Sequence, residues 1–128
     1  MQWNNSNNSQ KNTRQTGQFS ESIAATYLLK NGLKEVTRNF NCKMGEIDLI
    51  MLDQQTLVFV EVKYRKNTTF GGAMAAISPS KQIKLQKSAN FYLQKQQLNA
   101  YNTPCRFDVV ALEGNLTQPE ITWLKNAF

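Results

Sequence analysis

The chain has 128 residues and a net charge of +6, and 41% of its residues are hydrophobic. That length holds one domain around one core, and no apolar run approaches the twenty or so residues a membrane span needs. The lack of any histidine removes Ser-His-Asp and Cys-His nucleophiles and histidine zinc sites. Catalysis would fall to carboxylates and lysines, and carboxylates prefer hard cations such as Mg²⁺ or Mn²⁺.

Residues 1–16 are dominated by Asn, Gln, Ser and Thr. They offer too little apolar surface to offset the entropy of ordering, so a mobile polar tail is expected there, with one domain over 17–128. The segment lacks the charged and then apolar pattern of a signal peptide, which makes a cytoplasmic protein the expectation. Cys42 and Cys105 have no CxxC spacing and are read as reduced thiols.

Over residues 17–31, Phe19, Ile23, Tyr27 and Leu28 recur at helical spacing, with Ala24 and Ala25 allowing close packing and Gly32 placed to end the helix. Glu21 lies on it. Residues 33–40 read as a strand through Val36 and Phe40. Clearer strands follow at 46–53 and 56–64, joined tightly at Gln54-Gln55, and then a looser segment with Gly71-Gly72. A second helix is predicted from Pro79 to about Leu98, capped by Ser78, with Leu85, Ala89, Tyr92 and Leu93 on its core side. Residues 106–112 form another strand, and 121–124 suit a short last one. The order αβββαβ predicts an α/β domain with a mixed central sheet and helices against it.

The hairpin carries the chemistry. Ile47, Leu49, Met51, Val58, Val60 and Val62 fall on one face, and Ile50, Leu52, Leu57 and Phe59 on the other, the pattern of strands covered on both sides. A turn at Gln54-Gln55 sets Asp53 opposite Thr56 and Ile50 opposite Phe59. Continued, the same register sets Asp48 opposite Glu61 and Glu46 opposite Lys63, with Asp48, Glu61 and Lys63 on one face at one end. Opposed carboxylates repel unless neutralised. A divalent cation can bridge them, with the Val62 carbonyl as a further ligand and Glu21 completing the acidic cluster; alternatively, Lys63 and nearby bases neutralise them in a purely structural network. In the first case Lys63 would orient the water or stabilise the anionic transition state.

From Tyr64 to Phe107 there is no Asp or Glu, yet Arg65, Lys66, Lys81, Lys84, Lys87, Lys95 and Arg106 lie there. Such asymmetry attracts a polyanion, and the competing reading is a solvated basic surface. Lys81, Lys84 and Lys87 form a stripe near the start of the second helix, where Ser80 and Gln82 could join them on phosphate. Arg65 and Lys66 are placed to grip the backbone beside a scissile phosphate.

The runs Gly45-Glu46-Ile47-Asp48-Leu49-Ile50 and Val58-Phe59-Val60-Glu61-Val62-Lys63-Tyr64-Arg65 closely resemble the signature of the bacterial YraN-like family. Glu21-Ser22-Ile23-Ala24-Ala25-Thr26-Tyr27-Leu28, Arg38-Asn39 and Arg106-Phe107-Asp108-Val109-Val110 extend the likeness. The chain departs from the family at Ser20, where a second glycine is common, and at Asn41, Lys43 and Met44, where arginine is more usual. That family is grouped with the restriction-endonuclease-like, or PD-(D/E)xK, nucleases, and its fold is similar to archaeal Holliday-junction resolvases. The resemblance implies a Mg²⁺- or Mn²⁺-dependent endonuclease acting on DNA rather than RNA, with Asp48, Glu61, Lys63 and Glu21 at its core. It is compatible with a homodimer on a junction substrate. The alternative is a nucleic-acid-binding domain of the same fold that does not cleave.

Overall fold

The computed structural model describes residues 2–67 and 77–128, with side chains from Arg14 onward. The expected loose segment around Gly71-Gly72 lies outside the described residues. The order is α1 (Gln2–Lys30), β1 (Lys34–Cys42), β2 (Gly45–Asp53), β3 (Thr56–Arg65), α2 (Pro79–Lys95), β4 (Cys105–Glu113) and β5 (Glu120–Leu124). The five strands form one sheet in sequence order. All neighbours are antiparallel except β3 and β4, which run parallel across the α2 connection. This is the mixed α/β sheet that the pattern predicts, with the short last strand added at its edge.

Each helix covers one face. Ala24, Ala25 and Leu28 of α1 pack on Leu49, Met51, Val58, Val60, Val110 and Leu112. Leu85, Ala89, Tyr92 and Leu93 of α2 pack on Ile47, Ile50, Leu57 and Phe59. β2 and β3 therefore read as nearly continuous apolar runs, because neither face meets water. Phe19, expected among the core positions of α1, is instead 49% exposed.

The helix ends follow local chemistry. α1 stops in a Schellman arrangement: Leu33 N–H donates to Leu28 O at 3.1 Å and Gly32 N–H to Leu29 O at 3.1 Å. Gly32 takes the left-handed φ of 96° this closure requires. At its other end α1 begins at Gln2 rather than near Gly17. Residues 2–16 contain no proline, and polar residues cost a helix only tenths of a kcal/mol each, so low hydropathy does not mark the boundary. α2 is capped as expected, with Lys81 N–H donating to Ser78 Oγ at 3.1 Å and Pro79 in the first turn. It ends at Lys95, short of Leu98, where Gln97 turns left-handed with φ 58°.

Candidate active site at the opened end of the central hairpin

The β2–β3 ladder follows the predicted register from Asp53↔Thr56 to Leu49↔Val60 and then stops. Asp48 and Glu61 are not a ladder pair, and neither are Glu46 and Lys63, which corrects the extrapolated register. The cause lies on the other side of β2. The β1–β2 register passes from Arg38↔Leu49 to Phe40↔Ile47, stepping over Asn39 and Asp48. Asn39 has a left-handed φ of 53°, which interrupts the pleat, and the facing side chains change sides there. Leu49 packs toward α1, whereas Ile47 and Phe40 pack toward α2. Ile47 therefore does not share a face with Leu49 as strict alternation requires.

The departure opens a gap between the strands, and Asp48 fills it. Its Oδ2 accepts from Val62 N–H at 2.9 Å, so a side chain takes the place of a main-chain acceptor. A strand residue projects its N–H and C=O to the same side. The Val62 carbonyl therefore also points into the gap.

Six further residues converge there. Glu21 from α1 brings its carboxyl against that of Asp48, and each acts on the other's charge. The Asn39 amide, with its nitrogen inward, donates to Glu21 Oε1 and Glu46 Oε1, both at 2.9 Å. From the α2 side, Lys81 Nζ lies 3.7 Å from Glu61 Oε1, and Lys63 also acts on Glu61. The other carboxyl oxygen of Glu61 is buried without a hydrogen-bond partner.

The electrostatics record too much negative charge for the cations present. Burial pushes Glu61 up to about 7, repulsion from Asp48 adds to this, and Lys81 and then Lys63 oppose it. Burial likewise raises Asp48 to about 6 against the Val62 hydrogen bond. Glu21 rises to about 7 through burial and the charges of Asp48 and Glu46. Clustered acids of this kind are commoner at functional sites than on ordinary surfaces.

As donors, three carboxylates and a carbonyl suit a hard cation, and the orphaned Glu61 oxygen is a position such an ion would satisfy. Among the described residues, however, no three acidic side chains stand around one point as a ready coordination shell. The donor types fit; closing on an ion requires side-chain rotation.

Residues 20–112 match the model of the uncharacterised protein family UPF0102. The chain belongs to that family. It is similar to a UPF0102 protein of Colwellia psychrerythraea, 62% identical over the full length of both chains. A UPF0102 protein of Shewanella denitrificans is 50% identical over 88% of this chain and 98% of its own, and one of Nitrosococcus oceani is 45% identical over 90% and 92%. The UPF0102 match takes in every residue of the opened end and leaves out β5.

The predicted phosphate-binding residues of this UPF0102 chain separate into three groups. Lys81 belongs to the acidic cluster, which spacing along α2 alone did not reveal. Gln82 is occupied, its amide nitrogen donating to Ile77 O at 2.9 Å. Lys84 and Lys87 remain exposed on α2, as do Arg65 at the end of β3 and Lys66 just past it. Arg65 donates to Tyr64 O at 2.9 Å, and Lys66 lines a hollow of about 670 Å³ with Thr16, Tyr64, Gly114, Asn115 and Leu116. Asn39 is the residue the sequence reading missed. Its signal was an Asn in the middle of a strand, one of the few residues that tolerate a left-handed φ.

Proposed function

We propose that this chain is a Mg²⁺- or Mn²⁺-dependent endonuclease that hydrolyses phosphodiester bonds in DNA, with branched or junction DNA as its substrate. The reading rests on one observation: β2 and β3 part at Leu49 and Val60, and three carboxyls, a main-chain carbonyl and two lysines converge on the gap. Glu21, Asp48, Glu61 and the Val62 carbonyl would hold the cation. A divalent ion there supplies acidification of a water and neutralisation of the phosphoryl oxygens. Water adds to phosphorus, the P–O bond to the leaving sugar oxygen breaks, and that oxygen takes up a proton. Lys63 orients the attacking water or balances the negative charge that grows on the phosphoryl group. The likeness to restriction-endonuclease-like nucleases in the two strand motifs supports the same assignment, although a shared fold alone carries no activity. A two-fold dimer would present two such sites to a four-way junction.

A second reading is favoured by the unassembled coordination shell and by Lys81 already pairing with Glu61: a domain that binds nucleic acid without cutting it. Cleavage of flap, fork, four-way and linear DNA substrates separates the two. Mg²⁺-dependent cutting lost by at least a hundredfold in Asp48→Asn and in Glu61→Gln is expected. Cutting that persists in both variants identifies a contaminant and sinks the enzyme assignment. Binding without cutting in either Mg²⁺ or Mn²⁺ selects the second reading.

A further inference from the structure

Lys81 was expected to face solvent and phosphate, yet its ammonium lies against Glu61, the carboxylate whose other oxygen has no partner. The Glu61 side chain is only 13% exposed, so water does little to compensate it, whereas that of Lys81 is 43% exposed. At 3.7 Å the contact is well beyond the roughly 2.7–2.9 Å of a charge-assisted hydrogen bond. It is a loose pairing of a point charge on a flexible stem. The backbone beneath it is fixed, since Lys81 N–H is bound by the Ser78 cap. The side chain can therefore swing without disturbing the helix. Lys63 comes from the same strand as Glu61, so of the two lysines acting on Glu61 it is Lys81 that comes from a separate element.

We infer that Lys81 is a stand-in cation. It holds Glu61 while no metal is bound, and it moves to a phosphate of the substrate when a divalent ion takes the carboxylate. This rests on the metal-site reading above. It adds that Lys81 is a positioning residue whose partner changes during the cycle, so that metal and Lys81 compete for one carboxylate and substrate relieves the competition.

The test uses the full chain with Mn²⁺ as the probe and no nucleic acid present, bound metal being followed by electron paramagnetic resonance. Lys81→Met is expected to bind Mn²⁺ about two- to fivefold more tightly than the wild type, the range a half-exposed ion pair supports. Lys81→Arg should bind as the wild type does. In Ca²⁺, junction-DNA binding by Lys81→Met should lose about one unit of salt slope, one phosphate contact's worth. Matching circular dichroism and Tm establish that the variants are folded. Equal or weaker Mn²⁺ binding by Lys81→Met, with the wild type binding normally, overturns the competition and leaves the nuclease reading standing. An unchanged salt slope overturns the transfer to phosphate. No Mn²⁺ binding by any form at millimolar metal overturns the metal site and this inference together.

Discussion

Glu21 and Glu61 hold protons more tightly in the folded chain than an ordinary carboxyl of 4.5, each at about 7, and Asp48 does so at about 6 against 3.8. The native state therefore binds more protons than the unfolded state between those limits, and stability must fall as pH rises through them. In chelator, Tm should drop by several degrees between about pH 5 and about pH 8. Glu61→Gln should flatten that slope and raise Tm at the alkaline end, while abolishing cleavage. Thermal melts across this range decide it, and a Tm that climbs with pH would show that the acids are already compensated. Asp48, Glu61 and Lys63 were legible as neighbours on two adjoining strands, whereas Glu21 entered only through the family resemblance and the way α1 packs. Lys81 was not, because its role depends on how α2 lies against β3, and helical spacing gives a direction around the helix without saying what it faces.

Among the elements, β4 contributes a second buried acid with a different fate. Asp108 is fully buried and saturated: it accepts from Arg106 Nε at 3.1 and 3.2 Å, Trp123 Nε1 at 2.9 Å and Asn126 N–H at 2.9 Å. Arg106 also reaches Asp53 at 2.9 Å, which ties β4 to the turn end of β2. Asp108→Ala takes the acceptor from Arg106 Nε, the Trp123 indole and Asn126 N–H, while Asp53 still holds the other side of the guanidinium, so a loss of about 2–4 kcal/mol is expected. Urea unfolding followed by Trp fluorescence measures it, and a change below about 1 kcal/mol would show the network to be peripheral. The two acids differ in their partners: Asp108 is buried with both oxygens answered, and Glu61 with one unanswered. The hairpin register was readable as far as Leu49 and Val60, because apolar alternation and turn position both specify it. Its opening was not, since it comes from one left-handed residue on the neighbouring strand and a side chain replacing a main-chain acceptor. Neither leaves a trace in hydrophobic periodicity.

For the molecule as a whole, the element order, the two-sided burial and the α2 cap were legible because binary pattern, turn chemistry and capping residues all agreed. The start of α1 was not, as polar residues of middling propensity do not announce a boundary. No helix among the described residues is long and apolar enough to cross a membrane. The exposed Lys84 and Lys87 lie on α2 beyond Lys81, and the proposed DNA contact makes them its test. Replacing both with Ala should weaken junction and linear DNA alike and reduce the salt slope by about two. Fluorescence anisotropy over a salt series reads this, and a loss confined to one sequence would argue against backbone contact. The parallel pairing of β3 with β4 also bears on how the chain assembles. β1, β2 and β3 meet through tight turns, whereas β4 reaches β3 only after the whole of α2 has been laid down, and distant pairings close late. On that basis the acids of β2 and β3 should come together on a three-stranded meander before Lys81 is docked against them. A meander that forms first would bring mutually repelling carboxylates together without their cation, so acidic medium should speed refolding from urea, as stopped-flow Trp fluorescence would read.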